Sequence, residues 1–381
     1  MQEGRLRLAF LGDPDSIHVR QWLGFFAGRG HEVVLLLPED TALGQNLPSG
    51  ISVERFVPFN HRRSRLAGML DARRSLRRAM RRIRPDVLDA QYLTVNGWHA
   101  WMSGFHPYVV SVWGSDVLVT PRTSRRGRLY ARFALRSADL VLGGSESVIE
   151  SAASLGARRD RAWAIPYGVD LALFSPVGNP SDLRERLGLV GRRVVFSPRA
   201  MRPLYHHRAV VEALAQLPSD VVVVVVGYLA DQVELEAVQL RAQEFGVADR
   251  LVVVPSIAHS DMPDYYRLAD VVVSVPSSDS TPITLFEALA CGRPVVASDL
   301  PAVRELMDRL DPAALVPVGD PDLLATAIAR ALALAPAQRQ ALAARGVELA
   351  RELADRDRNL GRVEELYKRL AAARAGDRRG I

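Results

Sequence analysis

The segment "VPSSDSTPITLFEALACGRPVVAS", residues 275–298, joins a buried strand to an apolar helix through a short polar turn. The strand ends near Val275, Asp279 lies in the turn, and Glu287 lies on the second turn of the predicted helix. A carboxylate at the start of a helix usually only caps it. A pair of carboxylates around one helix start therefore raises the question of whether they stabilise the fold or bind a ligand.

The predicted helix runs from about Pro282 to Ala290, with Thr281 as its N-cap and Gly292 as its stop signal. Its N-terminus opens at the carboxyl edge of a sheet, where unpaired backbone N–H groups and the helix dipole make an anion site. A diphosphate fits such a site. The two carboxylates accept hydrogen bonds from hydroxyl groups, so one can face the sugar end of a ligand and the other its ribose end.

Length and composition predict two domains. The chain has 381 residues, of which 48% are hydrophobic, and a single core rarely grows that far. No apolar run approaches the roughly 20 residues of a membrane-spanning helix, and the N-terminal "MQEGRLRLAFLGD" has the pattern of a first strand. Cys291 is the only cysteine, which excludes an internal disulfide and a cysteine-based metal cluster. These features predict a cytoplasmic protein.

Short, continuously apolar segments alternate with amphipathic ones, as in parallel sheets that helices cover on both faces. One series runs from "LRLAFLG" to "AWAIPYG", and a second from "RRVVFSP" to "AALVPV". The sequence therefore predicts an α/β protein with two Rossmann-like, doubly wound domains facing a cleft. We place the domains at residues 1–178 and 190–355, followed by a C-terminal helical tail at 356–381 that returns to the first domain.

The net charge of +6 is concentrated in the segment 61–85, and nearly all of the basic residues are arginines. Its apolar residues recur at spacings of three and four, which predicts one packed helix face: Leu66, Met69, Ala72, Leu76, Met80 and Ile83. Six arginines fall on the other side: Arg73, Arg74, Arg77, Arg78, Arg81 and Arg82. This second face suits solvent, an anionic membrane surface or nucleic acid, of which nucleic acid is the least favoured.

Four segments resemble, in the right order, the retaining glycosyltransferases of family 4, which have the two-domain GT-B fold. "SSDSTPITLFEALACGRPVVASD" is similar to the Glu-x7-Glu segment of that family, and "RLADVVVSVPSSDSTP" to the strand leading into its donor site. "FLGDPDSIHVRQWLGFFAGRGHEVVLL" resembles the opening strand and helix, and "IPYGVDLALFSP" the entry into the linker. The resemblance covers nearly the whole chain.

The resemblance implies a metal-independent retaining glycosyltransferase of the hexosyltransferase type. It would move a sugar from a UDP- or GDP-sugar to an acceptor such as a lipid-linked or cell-envelope glycan, with no cofactor beyond this co-substrate. Arg199, after the strand "VVFSP", matches the phosphate-binding arginine, so the catalytic set is Asp279, Glu287 and Arg199. The implied donor-binding residues are Arg199, Arg202, Gly227, Ser280, Thr281, Pro282, Ile283 and Glu287.

The sequence also departs from the family pattern. The first acidic residue is Asp279 instead of Glu, and Leu204 stands where a lysine usually follows the arginine. Arg202 is the first choice to replace that charge, ahead of Tyr205 and His206. Gln91 and Trp113 occupy positions where the first domain often has histidines. The implied acceptor side of the cleft comprises Gly12, Asp13, Ser16, His18, Gln91, Trp113, Gly114 and Asp116.

Three alternatives stay open. Asp13 and Asp15 form an Asp-x-Asp pair, but we predict no metal site because the pair follows the first strand of a two-domain chain. A nucleotide-sugar epimerase could share the phosphate site, although it would need further carboxylates and histidines. The absent lysine and histidines would also suit a catalytically silent homologue that acts as a binding or scaffold protein. The arginine helix adds the possibility of peripheral attachment at the inner face of the membrane.

Overall fold

The computed structural model describes residues 4–43, 47–59, 65–227 and 230–379. Contacts between residues divide the chain into two compact units. The first contains the residues up to Tyr167 together with those from Asp357 onward, and the second is Gly168–Arg356. Each unit has its own parallel sheet and its own hydrophobic core.

The first unit alternates strands and helices around a seven-stranded sheet. Its strands are β1 (Arg7–Leu11), β2 (Glu32–Pro38), β3 (Ile51–Phe56), β4 (Val87–Gln91), β5 (Tyr108–Ser111), β6 (Leu140–Gly143) and β7 (Ala162–Ala164). Its helices are α1 (Ile17–Gly28), α2 (Arg65–Ile83), α3 (Trp98–Ser103), α4 (Ser115–Leu118), α5 (Thr120–Thr123), α6 (Arg125–Ser137) and α7 (Glu146–Leu155). A π-helical turn, Leu93–Gly97, precedes α3.

The strand order of this sheet is β3-β2-β1-β4-β5-β6-β7, and all pairs are parallel. Strands β5 and β6 are buried along their whole length and β2 is buried except at its two end residues, which explains why their sequences are mostly apolar. Strand β4 is also buried throughout, but it carries the polar residues Asp89 and Gln91. Sequence patterning missed β3, an edge strand whose residues are mostly half-exposed. The mixed polar and apolar "ISVERF" gives no continuous apolar signal.

The second unit has a six-stranded sheet. Its strands are β8 (Arg193–Ser197), β9 (Val221–Val226), β10 (Leu251–Val254), β11 (Val271–Ser274), β12 (Val295–Ser298) and β13 (Leu315–Val316). Its helices are α8 (Ser181–Arg186), α9 (His207–Ala215), α10 (Gln232–Glu244), α11 (Met262–Leu268), α12 (Ile283–Ala290), α13 (Pro301–Met307), α14 (Pro321–Leu332) and α15 (Pro336–Ala354). A last helix, α16 (Arg356–Arg379), closes the chain.

The strand order of the second sheet is β10-β9-β8-β11-β12-β13, again with parallel pairs. The order reverses direction between β1 and β4 in the first sheet and between β8 and β11 in the second. Ligands of open α/β sheets bind outside the carboxyl ends of the strands at such a switch point. The two doubly wound parallel sheets that the sequence predicts are therefore confirmed.

The contacts that hold α16 place it in the first unit. Tyr367 stacks on Phe26 with ring centroids 5.4 Å apart, and its hydroxyl donates to Asp89. Asn359 Nδ2 donates to the carbonyl oxygen of Pro166 over 3.0 Å. The C-terminal helix thus returns to the first unit, as the sequence interpretation holds.

The division near the linker differs from the predicted end of the first domain at residue 178. Residues 168–178 belong to the second unit because their apolar side chains join its core. Phe174 is buried and meets the ring of Tyr266 edge-on at 5.8 Å. Arg267 Nε donates to the carbonyl oxygen of Ser175 over 2.9 Å. The Pro- and Gly-rich segment by which the sequence marks the domain boundary therefore begins only after the chain has joined the core of the second unit.

Helix α2 coincides with the predicted arginine-rich helix, of which residues 61–64 lie outside the described part. Ala72, Leu76, Met80 and Ile83 are buried as the spacing predicts, whereas Leu66 is 70% exposed. In the part of the chain that the structure describes, no helix is both long and apolar enough to cross a membrane.

Candidate active site

Two loops meet where the second sheet changes direction. The loop after β8 carries Arg199, and the loop after β11 carries Asp279 and leads into α12. Since β8 and β11 are neighbouring parallel strands, their carboxyl ends lie at the same edge of the sheet. The sequence-predicted residues Arg199 and Asp279 are thereby brought into contact.

Arg199 is held by hydrogen bonds from one guanidinium nitrogen. Its Nη1 donates to Asp279 Oδ2 and to Thr284 Oγ1, each over 3.1 Å. The arginine and aspartate side chains are only 12% and 11% exposed. Burial lowers the pKa of Arg199, but the Asp279 carboxylate together with the Tyr205 and Tyr266 side chains raises it by more, so the net shift is upward and the guanidinium stays charged. The site thus presents a fixed, partly buried cation.

An aromatic ring completes the support of this cation. The guanidinium carbon of Arg199 lies 4.4 Å from the ring centroid of Tyr205, at a distance typical of cation–π contacts. Tyr205 ends a short 3-10 turn, Pro203–Tyr205, and the carbonyl oxygen of Leu204 in this turn accepts from Ser277 N over 3.0 Å. Of the three residues considered as replacements for the missing lysine, Tyr205 therefore contacts Arg199, whereas the Arg202 side chain is exposed.

The start of α12 differs from the predicted cap. Pro282 is the N-cap residue, and no side chain caps the helix, so the assignment of Thr281 as N-cap is wrong. Ile283 N donates to the carbonyl oxygen of Thr281 over 2.8 Å, which closes a tight turn one residue later than expected. The Thr281 hydroxyl is buried and has no hydrogen-bond partner among the described residues. A buried hydroxyl without a partner is costly, and a ligand oxygen would satisfy it.

Glu287 lies on the buried side of α12. Its Oε2 accepts a hydrogen bond of 2.6 Å from the hydroxyl of Tyr266 on α11. Burial raises the pKa of Glu287 to about 7, against lowering contributions from the Tyr266 hydroxyl and the Arg199 charge. Glu287 therefore changes its charge near neutral pH instead of near pH 4. Sequence reasoning missed Tyr266, which lies in an ordinary amphipathic helix.

The remaining predicted donor-side residues lie around this centre. Ser280 is buried, and its backbone N–H donates to Asp279 Oδ1 over 2.8 Å. Gly227 follows β9, and its N–H donates to the carbonyl oxygen of Val254 over 2.7 Å. The next two residues, 228 and 229, lie outside the described part. His207, which sequence reasoning passed over, is fully buried behind the β8 loop, and burial lowers its pKa to about 4.

In the first unit, the loop after β1 packs closely against β4. A Cβ atom on Gly12 would come within 2.9 Å of Val19 Cγ1, so a larger residue would push α1 away from the sheet. Ser16 caps α1 by accepting from Val19 N, and Asp13 Oδ1 accepts from Asp15 N over 2.9 Å. The Asp-x-Asp pair thus forms a turn. Among the described residues, no group of three or more His, Cys, Asp or Glu side chains is placed to hold a metal ion.

The loop after β5 is organised by rings and by one carboxylate. Trp113 stacks on Tyr167 at 4.4 Å, and the ring of His18 lies 5.1 Å from Trp113. Asp116 is fully buried, and its oxygens accept from the backbone N–H groups of Leu93, Trp113 and Gly114. Burial raises the pKa of Asp116 to about 6, against lowering by these N–H groups. Asp116 therefore shapes the loop, and its place on the acceptor side of the cleft stays a prediction.

A buried polar cluster beneath this edge was not foreseen. Asp89 on β4 accepts from Gln91 Nε2 over 2.6 Å, from Ser111 Oγ over 3.0 Å and from the Tyr367 hydroxyl. Burial raises the pKa of Asp89 to about 7, although these three donors lower it. Gln91 Oε1 is buried and has no partner in the described part of the chain. The alternating polar residues in "DVLDAQY" could have indicated that Asp89 and Gln91 lie on the same face of β4. Their partner Tyr367 could not have been found in this way, because it lies on α16, 278 residues after Asp89.

Comparisons with known proteins agree with this arrangement. The family described as "Glycosyl transferases group 1" matches residues 181–348, and "Glycosyl transferase 4-like" matches residues 7–145. The D-inositol 3-phosphate glycosyltransferase of Xylanimonas cellulosilytica is 32% identical over 299 residues, which cover 69% of this chain and 70% of that protein.

Solved structures share the fold over almost the whole chain. The sucrose-phosphate synthase of Thermosynechococcus elongatus superposes with a TM-score of 0.82 at 21% identity, covering 97% of this chain and all of that one. Anabaena HepE in complex with UDP-glucose gives a TM-score of 0.78 at 21% identity, covering 96% and 100%. The fold is GT-B, and the chain belongs to the group 1 family of glycosyltransferases.

Proposed function

We propose that this protein transfers a sugar from a nucleotide diphosphate sugar to a hydroxyl acceptor, with retention at the anomeric carbon and without a metal ion. The observation that carries the proposal is the fixed Arg199 cation beside the start of α12, where the buried Thr281 hydroxyl has no partner among the residues that the structure describes. A cation, a free hydroxyl donor and the N-terminal N–H groups of a helix together match a diphosphate.

The chemistry needs little acid catalysis, because a nucleoside diphosphate is already a good leaving group. The bond between the anomeric carbon and the diphosphate oxygen breaks, and the electron pair stays on that oxygen. The acceptor oxygen forms the new bond to the anomeric carbon, and its proton passes to the departing diphosphate. Arg199 is placed to stabilise the charge that develops on the diphosphate. Asp279 is assigned to the sugar hydroxyls and Glu287 to the ribose, because carboxylates accept from hydroxyl groups.

For the donor, we propose a UDP- or GDP-sugar, with UDP first because the HepE structure contains UDP-glucose. For the acceptor, the name of the Xylanimonas relative suggests a phosphorylated cyclitol, and a lipid-linked or cell-envelope glycan is the alternative. The acceptor side would comprise the loops after β1 and β5, which carry Gly12 and Trp113, and the end of β4, which carries Gln91. We propose a cytoplasmic site of action, where nucleotide sugars are made.

The test combines binding and turnover. Thermal stabilisation by UDP-, GDP- and ADP-sugars identifies the donor, since a ligand at 100 times its dissociation constant adds about 2.7 kcal/mol to the free energy of unfolding. Release of nucleoside diphosphate is then measured with and without an acceptor panel that includes inositol phosphates, and the anomer of the product is determined by NMR.

Each outcome separates the candidates. Turnover that depends on an acceptor and persists in EDTA supports the proposal. Conversion of the donor without an acceptor would identify an epimerase. Binding without turnover on any acceptor would identify a silent homologue, which the exposed Leu204 at the usual lysine position favours. Manganese-dependent recovery after EDTA would overturn metal independence.

A further inference from the structure

Three helices of the first unit form one surface that combines exposed apolar groups with arginines. Helix α3 packs between α2 and α6, and we call the outer surface of the three helices the α2–α3–α6 face. Trp98 stacks on Trp101 of the same helix at 4.6 Å and on Tyr130 of α6 at 4.2 Å, which fixes α3 to α6. All of these residues belong to the first unit, whereas Arg199, Asp279 and Glu287 belong to the second.

Large apolar side chains on this face point to solvent. Leu66 is 70% exposed, Leu70 is 44% exposed, Leu129 is 50% exposed and Phe133 is 44% exposed. The rings of Trp101 and Phe133 lie 5.4 Å apart and join the α2 side to the α6 side. A groove of about 410 Å³ lies between α2 and α3 and is lined by Leu66, Met69, Leu70, Arg73, Trp101 and Met102, among others. The spacing in α2 predicts that Leu66 packs inward, so its exposure is a finding of the structure.

Positive charge surrounds these apolar groups. The exposed arginines are Arg73, Arg74, Arg77, Arg78, Arg81 and Arg82 on α2 and Arg125, Arg126, Arg128, Arg132 and Arg136 on α6. The sequence of the three helices contains a single acidic residue, Asp71, whose carboxylate lies 4.0 Å from Arg74. On the far side of α2 from the groove, a pocket of about 650 Å³ is lined by Arg55, Arg74, Arg78, Arg81 and Arg82, together with Glu39 and Asp71.

We propose that the α2–α3–α6 face docks on a bilayer containing anionic phospholipid, with the exposed leucines and Phe133 inserted among the lipids and the arginines on the headgroups. Exposed apolar side chains within an arginine-rich surface are the pattern of interfacial membrane helices. Arginines attract anionic headgroups and keep their charge at every physiological pH. A nucleic acid would use the arginines and the aromatic rings but would leave the exposed leucines in water, so lipid is the partner that uses the whole face.

The experiment is co-sedimentation of the full chain with vesicles of phosphatidylcholine alone or mixed with phosphatidylglycerol, at low and high salt. We expect binding to the phosphatidylglycerol vesicles at low salt, reduced but measurable binding at high salt, and none to phosphatidylcholine alone. The triple variant Arg73→Ser, Arg77→Ser, Arg126→Ser removes two arginines on the groove side of α2 and one on α6, and it should bind about tenfold more weakly or worse at low salt. The double variant Leu129→Ser, Phe133→Ser should lose the binding that survives high salt.

Matched controls come from exposed residues of the second unit. The variant Arg309→Ser, Arg345→Ser, Arg351→Ser changes the net charge equally, and Val190→Ser, Leu240→Ser removes exposed apolar groups of similar kind. Both controls should sediment like the wild type. The arginine variants and both controls should keep the wild-type thermal midpoint, because their side chains are exposed. Since Phe133 also contacts Trp101, the Leu129→Ser, Phe133→Ser variant is assayed well below its own midpoint.

Insertion of this face into the bilayer is measured separately, by fluorescence quenching. Phosphatidylglycerol with brominated acyl chains should quench part of the tryptophan fluorescence, and Trp101→Phe should remove that part. The proposal is overturned if the wild type stays in the supernatant with phosphatidylglycerol vesicles at low salt, or if both test variants bind like their controls. Binding to an RNA oligonucleotide without sedimentation by vesicles would identify nucleic acid as the partner and would also overturn it.

Discussion

Arg199 and Asp279 form an ion pair at the carboxyl edge of the second sheet, with Nη1 and Oδ2 3.1 Å apart and both side chains nearly buried. The pair joins two neighbouring strands, because one residue follows β8 and the other follows β11. A diphosphate at the start of α12 would compete with Asp279 for the same guanidinium. Donor binding would then release the carboxylate toward the sugar hydroxyls, which is where our proposal assigns it.

This competition predicts opposite effects on binding and turnover for Asp279→Asn. Removing the negative charge leaves a partly buried arginine without its counter-ion, so an incoming diphosphate no longer has to displace one. We expect nucleoside diphosphate to bind as tightly as in the wild type or several-fold more tightly, while turnover falls. Isothermal titration calorimetry and initial rates measure the two quantities. A clear loss of nucleoside diphosphate affinity would contradict the competition.

Arg199→Ala is expected to lower turnover by about 100-fold or more, which is the effect of losing one preorganised group that stabilises an anion. Tyr205→Leu should cause a smaller loss, because it removes the ring that lies 4.4 Å from the guanidinium and leaves the charge in place. Arg351→Ala on the exposed face of α15 is the matched control. Wild-type rates in Arg199→Ala would remove Arg199 from the site.

The sequence contains enough information for the fold but not for the supports of the site. Continuously apolar strands such as β6 and β9 can be recognised in the sequence because both sheet faces are buried, whereas the half-exposed edge strand β3 gives no such pattern. The loop positions of Arg199 and Asp279 follow from their places after strands. Their contact with each other follows from the strand order of the sheet, which cannot be read from a single sequence.

Contacts made by ordinary helix residues are the part that sequence reading misses. Tyr266 lies on an amphipathic helix, and only the packing of α11 on α12 brings its hydroxyl to Glu287. Tyr367 meets Asp89 from the other end of the chain. Thr281 fits the sequence signature of an N-cap, yet the tight turn at Ile283 shifts the cap to Pro282. The threonine hydroxyl is therefore left without a partner in the described part of the chain. Local signals cannot decide between two adjacent cap positions.

Thr281→Val tests whether that hydroxyl contacts the donor. The two side chains have similar shape, so the variant removes a buried hydroxyl without creating a cavity. The unliganded protein should keep or slightly raise its thermal midpoint, because an unsatisfied polar group is lost. Nucleoside diphosphate affinity should fall about tenfold, the effect of one hydrogen bond to a charged group. A lower midpoint with unchanged affinity would show that the hydroxyl has a structural partner instead.

Glu287 predicts a pH dependence of nucleotide binding. Because burial raises its pKa to about 7, the carboxyl is largely protonated at pH 6 and largely ionised at pH 8. If the ionised form accepts the ribose hydroxyls, affinity should rise with pH across this window in the wild type and stay flat in Glu287→Gln. Titrations at pH 6, 7 and 8 compare the two proteins, with Asp308→Asn on the surface as control. Parallel profiles would reject the ribose role.

Asp89 predicts how stability depends on pH. The folded protein holds the proton of this carboxyl up to about pH 7, whereas an unfolded aspartate loses it near pH 4, so folding binds a proton between these values. The stabilising contribution is complete below about pH 4 and is lost as the pH rises through 7.

Asp89→Asn keeps the shape of the side chain but cannot ionise. Its thermal midpoint should therefore fall less than that of the wild type between pH 5 and pH 8, although Asp116 and Glu287, with pKa values of about 6 and 7, retain part of the slope. Tyr367→Phe removes a donor to the ionised carboxylate and should steepen the fall. Equal slopes in the wild type and Asp89→Asn would show that this carboxyl stays ionised in the core.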